Sequence, residues 1–138
     1  MTFRGIRRAI RRLDAIEAGV ILETKRALAE GLNEMKNIAI ESLSDQSPGR
    51  RYGNHIASLP GDAPNTDQGT LAASIFVELG PGLSGKFGSR LDYAKWLEEG
   101  VRPRLEKRPF LSPAVRKVLP QIQSNLNERY GVVVRRAR

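Results

Sequence analysis

The sequence contains no cysteine, one histidine, one tryptophan and few aromatic residues, 6% in all. The missing cysteine rules out disulfides, thiol nucleophiles and zinc–thiolate centres, and it suits a chain made in a reducing cytoplasm. A single histidine leaves one candidate for the usual base and metal-ligand roles. With so few aromatic rings, folding rests on aliphatic packing, and a core this light is a candidate for completion by a neighbouring subunit. No window approaches eighteen apolar residues, and the start is Arg-rich helix rather than a charged stub before an apolar run. The expectation is a chain with neither signal peptide nor membrane span.

What is abundant is positive charge. The 138 residues carry a net charge of +8, with a sequence pI near 10.4, and the excess sits at the two ends. Arg4, Arg7, Arg8, Arg11 and Arg12 open the chain with no acid among them, and Arg129, Arg135, Arg136 and Arg138 close it. Such ends attract acidic partners: a protein surface, a nucleic acid or an anionic lipid.

The length fits one domain. From Ile6 to about Leu43, apolar residues recur at helical spacing among Arg, Lys, Glu and Ala, predicting a long basic amphipathic helix over 1–46, with Gly19 and Gly31 as candidate bends. About forty residues at roughly 1.5 Å each reach about 60 Å, too long for a small domain to cover by itself. Residues 47–69 form a Pro/Gly-rich loop, read as ordered because it holds Tyr52, His55, Ile56 and Leu59. An α+β core over 70–128 follows: a hairpin over 72–90, a short helix near 93–99 N-capped by Asp92 and stopped by Gly100, and a C-terminal helix near 110–128. That last helix presents Leu111, Val115, Leu119, Ile122 and Leu126 on one face, with Pro120 as a kink or break. Residues 129–138 read as a basic, β-prone tail. The expected fold is therefore a long N-terminal helix packed on a small antiparallel sheet and a C-terminal helix.

Catalytic chemistry finds little purchase. His55 has no ligand companions at metal spacing and reads as structural or solvated. Asp62 and Asp67 flank Asn65 without the ligand order of a calcium loop, and favour turn and capping roles, Asp67 near Thr70. The "GPGLSGKFG" stretch lacks the Lys-Ser/Thr of a phosphate loop and reads as a hairpin turn. Ser58, Ser74 and Ser89 have no triad context. No catalytic residue, cofactor site or metal site is expected. Tyr93 and Trp96 read as core anchors, with a partner hot spot as the alternative.

Two stretches together resemble a known family. "HIASLPGDAPNTDQGTLAASI", residues 55–75, is similar to the Pro-Gly-acid-x-Pro, Asp-x-Gly-x-Leu, Ser-Ile loop of the tailed-bacteriophage proteins grouped with the HK97 gene product 10 tail component. "YAKWLEEGVRPRLEKRPFLSPAV", residues 93–115, resembles that family's Tyr-Ala, Glu-x-Gly and Arg-Pro-Phe-Leu-x-Pro-Ala signature, with Val101 where a small polar residue is usual. The order of elements matches over about residues 6–125.

The resemblance implies a non-enzymatic virion protein, made in the host cytoplasm and acting at the head–tail junction in the tail-completion, neck or head–tail connector class. It implies a ring, commonly of six copies, that joins a portal-side head-completion or adaptor protein to a tail terminator or tail tube protein and surrounds the DNA channel. It carries over no cofactor, no catalytic residue and no membrane. Within that picture Arg7, Arg8, Arg11, Arg135 and Arg136 are the candidates for docking to an acidic ring partner or to DNA. Pro60, Pro64, Arg108 and Phe110 are the candidates for partner contacts from the two motifs. The rival expectation is a free-standing basic protein that binds nucleic acid without sequence preference.

Overall fold

The computed structural model describes residues 3–66 and 69–138 and has an α+β architecture. Helix α1 (Phe3–Ser44) runs unbroken for 42 residues, about 63 Å. The loop after it contains two short strands, β1 (Arg51–Tyr52) and β2 (His55–Ile56). One helical turn, α2 (Thr70–Ala73), leads into strands β3 (Ile75–Leu79) and β4 (Gly85–Ser89). Helix α3 (Tyr93–Glu99) and helix α4 (Ser112–Arg136) complete the chain.

Each strand pair is an antiparallel hairpin. β3 and β4 pair from Ile75↔Ser89 to Leu79↔Gly85, and β1 and β2 pair as Arg51↔Ile56 and Tyr52↔His55. The main hairpin is therefore shorter than expected at its first strand. Thr70–Ala73, rich in alanine, takes a helical turn before the β-branched Ile75 begins the strand.

Neither Gly19 nor Gly31 breaks α1. Both lie where α4 crosses it: a Cβ on Gly31 would come within 2.3 Å of Ile122 Cδ1, and one on Gly19 within 2.6 Å of Val133 Cγ1. The missing side chains let the two helices approach closely. With Gly19 beside Val133 and Gly31 beside Ile122, the helices run antiparallel. Between these points Arg129 donates to Glu23 at 3.2 Å and to Glu30 at 2.5 Å, and the Thr24 and Tyr130 hydroxyls share a hydrogen bond of 2.5 Å.

These contacts also explain why residues 129–136 are helix and not a β-prone tail. The run of valines has weak intrinsic helix propensity, but Arg129, Tyr130 and Val133 each have a partner on α1, and tertiary packing decides. α4 likewise continues through Pro120, which is exposed, while Val118 and Ile122 on either side pack inward. Leu119 is 54% exposed, so the buried face of α4 is built on Ala114 and Val118 in its place.

The core lies at the C-terminal half of α1. Every fourth residue from Ala27 to Leu43 is buried: Ala27, Gly31, Met35, Ala39 and Leu43. This ridge winds from the flank of α4 toward Leu71, Ile75, Ala94 and Phe110, which close the same cluster. Phe110 is 1% exposed and is the largest side chain so buried.

Candidate functional site

The family-like motif of residues 93–115 folds into a hydrogen-bonded knot. Gly100 takes a φ of 75° and its N–H caps α3 by donating to Trp96 O at 2.8 Å. Asp92 precedes the helix without a capping bond, because it is itself helical, so the expected N-cap is not formed. The chain then turns through residues 101–105 and returns. Arg108 N–H donates to Leu97 O at 2.7 Å, its guanidinium donates twice to Ser58 O at 3.2 Å, and Gly61 N–H donates to Lys107 O at 2.8 Å.

Glu98, the acid of the Glu-x-Gly motif, closes the knot, a capping role that the sequence does not signal. Its carboxylate accepts the N–H groups of Phe110 at 2.9 Å, Leu111 at 3.0 Å and Ser112 at 2.7 Å, together with the Ser112 hydroxyl. It thereby caps the N-terminus of α4 from another helix, where a negative charge also meets the favourable end of the helix dipole. Partial burial works to raise its pKa. The hydrogen bonds from the Ser112 hydroxyl and from the backbone of Leu111, Phe110 and Ser112 outweigh burial and hold it below the ordinary glutamate value.

The Pro-Gly loop is ordered as expected. Asn65 accepts from Ser47 N–H and donates to Ser47 O and Ile56 O, all at 2.8 Å, while the Ser47 hydroxyl donates to Asp62 at 2.5 Å. Asp62 thus serves the loop, and Asp67 lies outside the described residues. Between the loop, α3 and residues 103–108 lies an open groove of about 790 Å³, whose lining includes Tyr52, His55, Tyr93 and Arg104. Among the described residues no three His, Cys, Asp or Glu side chains gather to hold a metal.

The motif residues expected at partner contacts mostly serve the fold. Phe110 is enclosed in the core, Pro64 is buried, and Arg108 is committed to Ser58 and Leu97; of the four, Pro60 is exposed. Sealed inside its own subunit, the Phe110 ring holds the core and offers no surface to a partner.

The arginines behave differently. Residues 4–15 of α1 are exposed without exception. The Gly19–Val133 crossing puts the end of α4, with Arg135 and Arg136, beside the base of this arm, so both basic ends converge at one pole. Along the arm Ile6, Ile10 and Leu13, 42%, 53% and 66% exposed, fall on one face, and Arg4, Arg7, Arg8 and Arg11 fall on the opposite one. Electrostatically the arm works against itself. Its first turn holds no acid, so positive charge crowds the positive end of the helix dipole. Arg4/Arg8, Arg7/Arg11 and Arg8/Arg12 are like-charge pairs at i, i+4, each destabilising by about 0.2–0.5 kcal/mol. Local rules broken in this way are expected at functional or strained positions.

A second exposed feature lies at the far end of the molecule. Tyr93 and Trp96 do not anchor the core; they are 40% and 56% exposed. Ala94 and Leu97 are the α3 residues that pack inward, because only that side of a two-turn helix faces α1 and α4. No family model, curated protein or solved structure matches this chain.

Proposed function

We propose that the chain is a non-enzymatic structural subunit of a tailed phage or phage-like particle. Copies form a ring at the head–tail junction that joins the portal-side connector to the tail and surrounds the DNA channel. The observation that carries this reading is the arm: some 18 Å of amphipathic helix whose apolar stripe continues past the end of α4 with nothing over it. A subunit completed by its neighbours accounts for that stripe. The likeness of residues 55–75 and 93–115 to the tail-component family supports the same reading. Arg108, Phe110 and Glu98 give that motif a role inside the fold that needs no catalytic group.

The test is genetic. Removing the gene from a phage or prophage that carries it leaves filled heads and finished tails unjoined, and supplying it in trans restores joined particles. Normal particles formed without it would overturn the proposal.

One observation favours the second reading, sequence-independent nucleic-acid binding: the convergence of Arg7, Arg8, Arg11, Arg135 and Arg136 at one pole. Phosphate binding of that kind weakens steeply and uniformly with salt, whereas a ring closed by apolar helix faces persists.

A further inference from the structure

We infer that the N-terminal arm of one copy docks on the Asp92–Trp96–Glu99 flank of α3 in a second copy, head to tail. This deepens the ring reading and rests on it, by naming the contact that closes the ring.

The two surfaces complement each other in charge and in length. On the arm, Arg4, Arg8 and Arg11 follow one another at i, i+4 and i+7, about 10 Å of helix, on the face opposite Ile6, Ile10 and Leu13; the exposed Asp14 is the one acid of residues 4–15. On α3, Asp92, Trp96 and Glu99 follow one another at i, i+4 and i+7, an acid–aromatic–acid strip of the same length. All three are exposed, and Lys95 beside them is the one opposing charge on the helix. This flank is the side of α3 away from the groove that Tyr93 and Leu97 line together with Arg104. Trp96 is the sole tryptophan of the chain, and a tryptophan face is the best aromatic acceptor for an arginine. Tryptophan is also among the residues enriched at the energetic centres of protein interfaces.

The contact must be made between copies. Ala94 packs in the cluster that holds Ala39 and Leu43, some thirty residues of α1, about 45 Å, from the middle of the arm. An arm therefore cannot reach its own α3. Because the two surfaces differ, the contact is heterologous, the kind that forms a ring where its rotation closes.

Trp96 reports directly on docking. The full-length chain is titrated with a synthetic peptide copying residues 3–18, and Trp96 emission and acrylamide quenching are followed. The expected result is a saturable blue shift with protection from quencher. Asp92→Arg/Glu99→Arg weakens it roughly ten-fold, and a peptide with Arg7, Arg8 and Arg11 replaced by Glu recovers binding to that variant. Circular dichroism establishes that the variant keeps its fold. The inference is overturned if Trp96 is unmoved up to millimolar peptide, if the reversed face binds the native peptide as well as wild type does, or if the peptide binds duplex DNA or anionic vesicles and leaves Trp96 untouched. A ring in particles whose Trp96 stays exposed defeats this contact alone. Peptide binding by a chain absent from particles defeats the head–tail reading instead.

Discussion

Replacing Glu98 by Gln tests whether the motif of residues 93–115 is a structural knot. The carboxylate receives three backbone N–H donors and one hydroxyl, split between its oxygens: Phe110 and Leu111 on one, both groups of Ser112 on the other. Gln keeps an acceptor for the first pair and turns an NH2 group toward the Ser112 N–H. A hydrogen bond to a charged group contributes about 1.5–3 kcal/mol. Because Glu98 is only partly buried and Ser112 is exposed, water recovers part of the loss, leaving about 1–2 kcal/mol of destabilisation. In a domain of this size that lowers Tm by roughly 3–10 °C.

The pH dependence gives the decisive contrast. The pKa of Glu98 is lowered by folding, so its contribution is present above the ordinary glutamate range and disappears as pH falls through the lowered value. Urea denaturation followed by circular dichroism should show wild type and E98Q apart at about pH 7 and drawing together as pH falls below the ordinary glutamate range. Equal stability near neutrality, or a gap that does not narrow as pH falls, would refute the capping argument.

Other outcomes follow from the same geometry. Phe110→Ala opens a cavity in the core and should cost about 3–5 kcal/mol in the same denaturation experiment. Gly31→Val sets a branched side chain against Ile122 at the helix crossing, and calorimetry should record about 1–3 kcal/mol lost. Arg129→Met removes the cation shared by Glu23 and Glu30 and should destabilise by about 1–2 kcal/mol, an effect that weakens as salt is raised. Arg7→Glu/Arg8→Glu/Arg11→Glu makes the 4/8 and 8/12 pairs attractive and leaves 7/11 alike in sign, so melting should be unchanged or slightly higher while joining of heads to tails, scored by complementation, is lost.

Much of the fold was legible because helical periodicity is a strong signal. α1, the short α3 and the hairpin of β3 and β4 all follow from spacing, β-branching and glycine placement. The failures share one cause: they depended on contacts distant in sequence. Residues 129–136 look β-prone until Tyr130 and Val133 meet Thr24 and Gly19. Gly31 looks like a bend until Ile122 fills the space beside it. Tyr93 and Trp96 look like core because aromatic residues are scarce, yet α3 turns Ala94 and Leu97 inward. Glu98 was invisible as a cap because its partners are more than ten residues away, whereas the usual capping signature is local. The arginines were conspicuous as a group, but their meeting at one pole required the antiparallel pairing of α1 and α4.

Cryo-electron microscopy of tailed particles from a host carrying this gene tests the central proposal most directly. The account predicts a closed ring of this chain between portal and tail tube, with each arm of residues 4–15 covered by a neighbour. Particles with joined heads and tails and no density for the chain at the junction would contradict it.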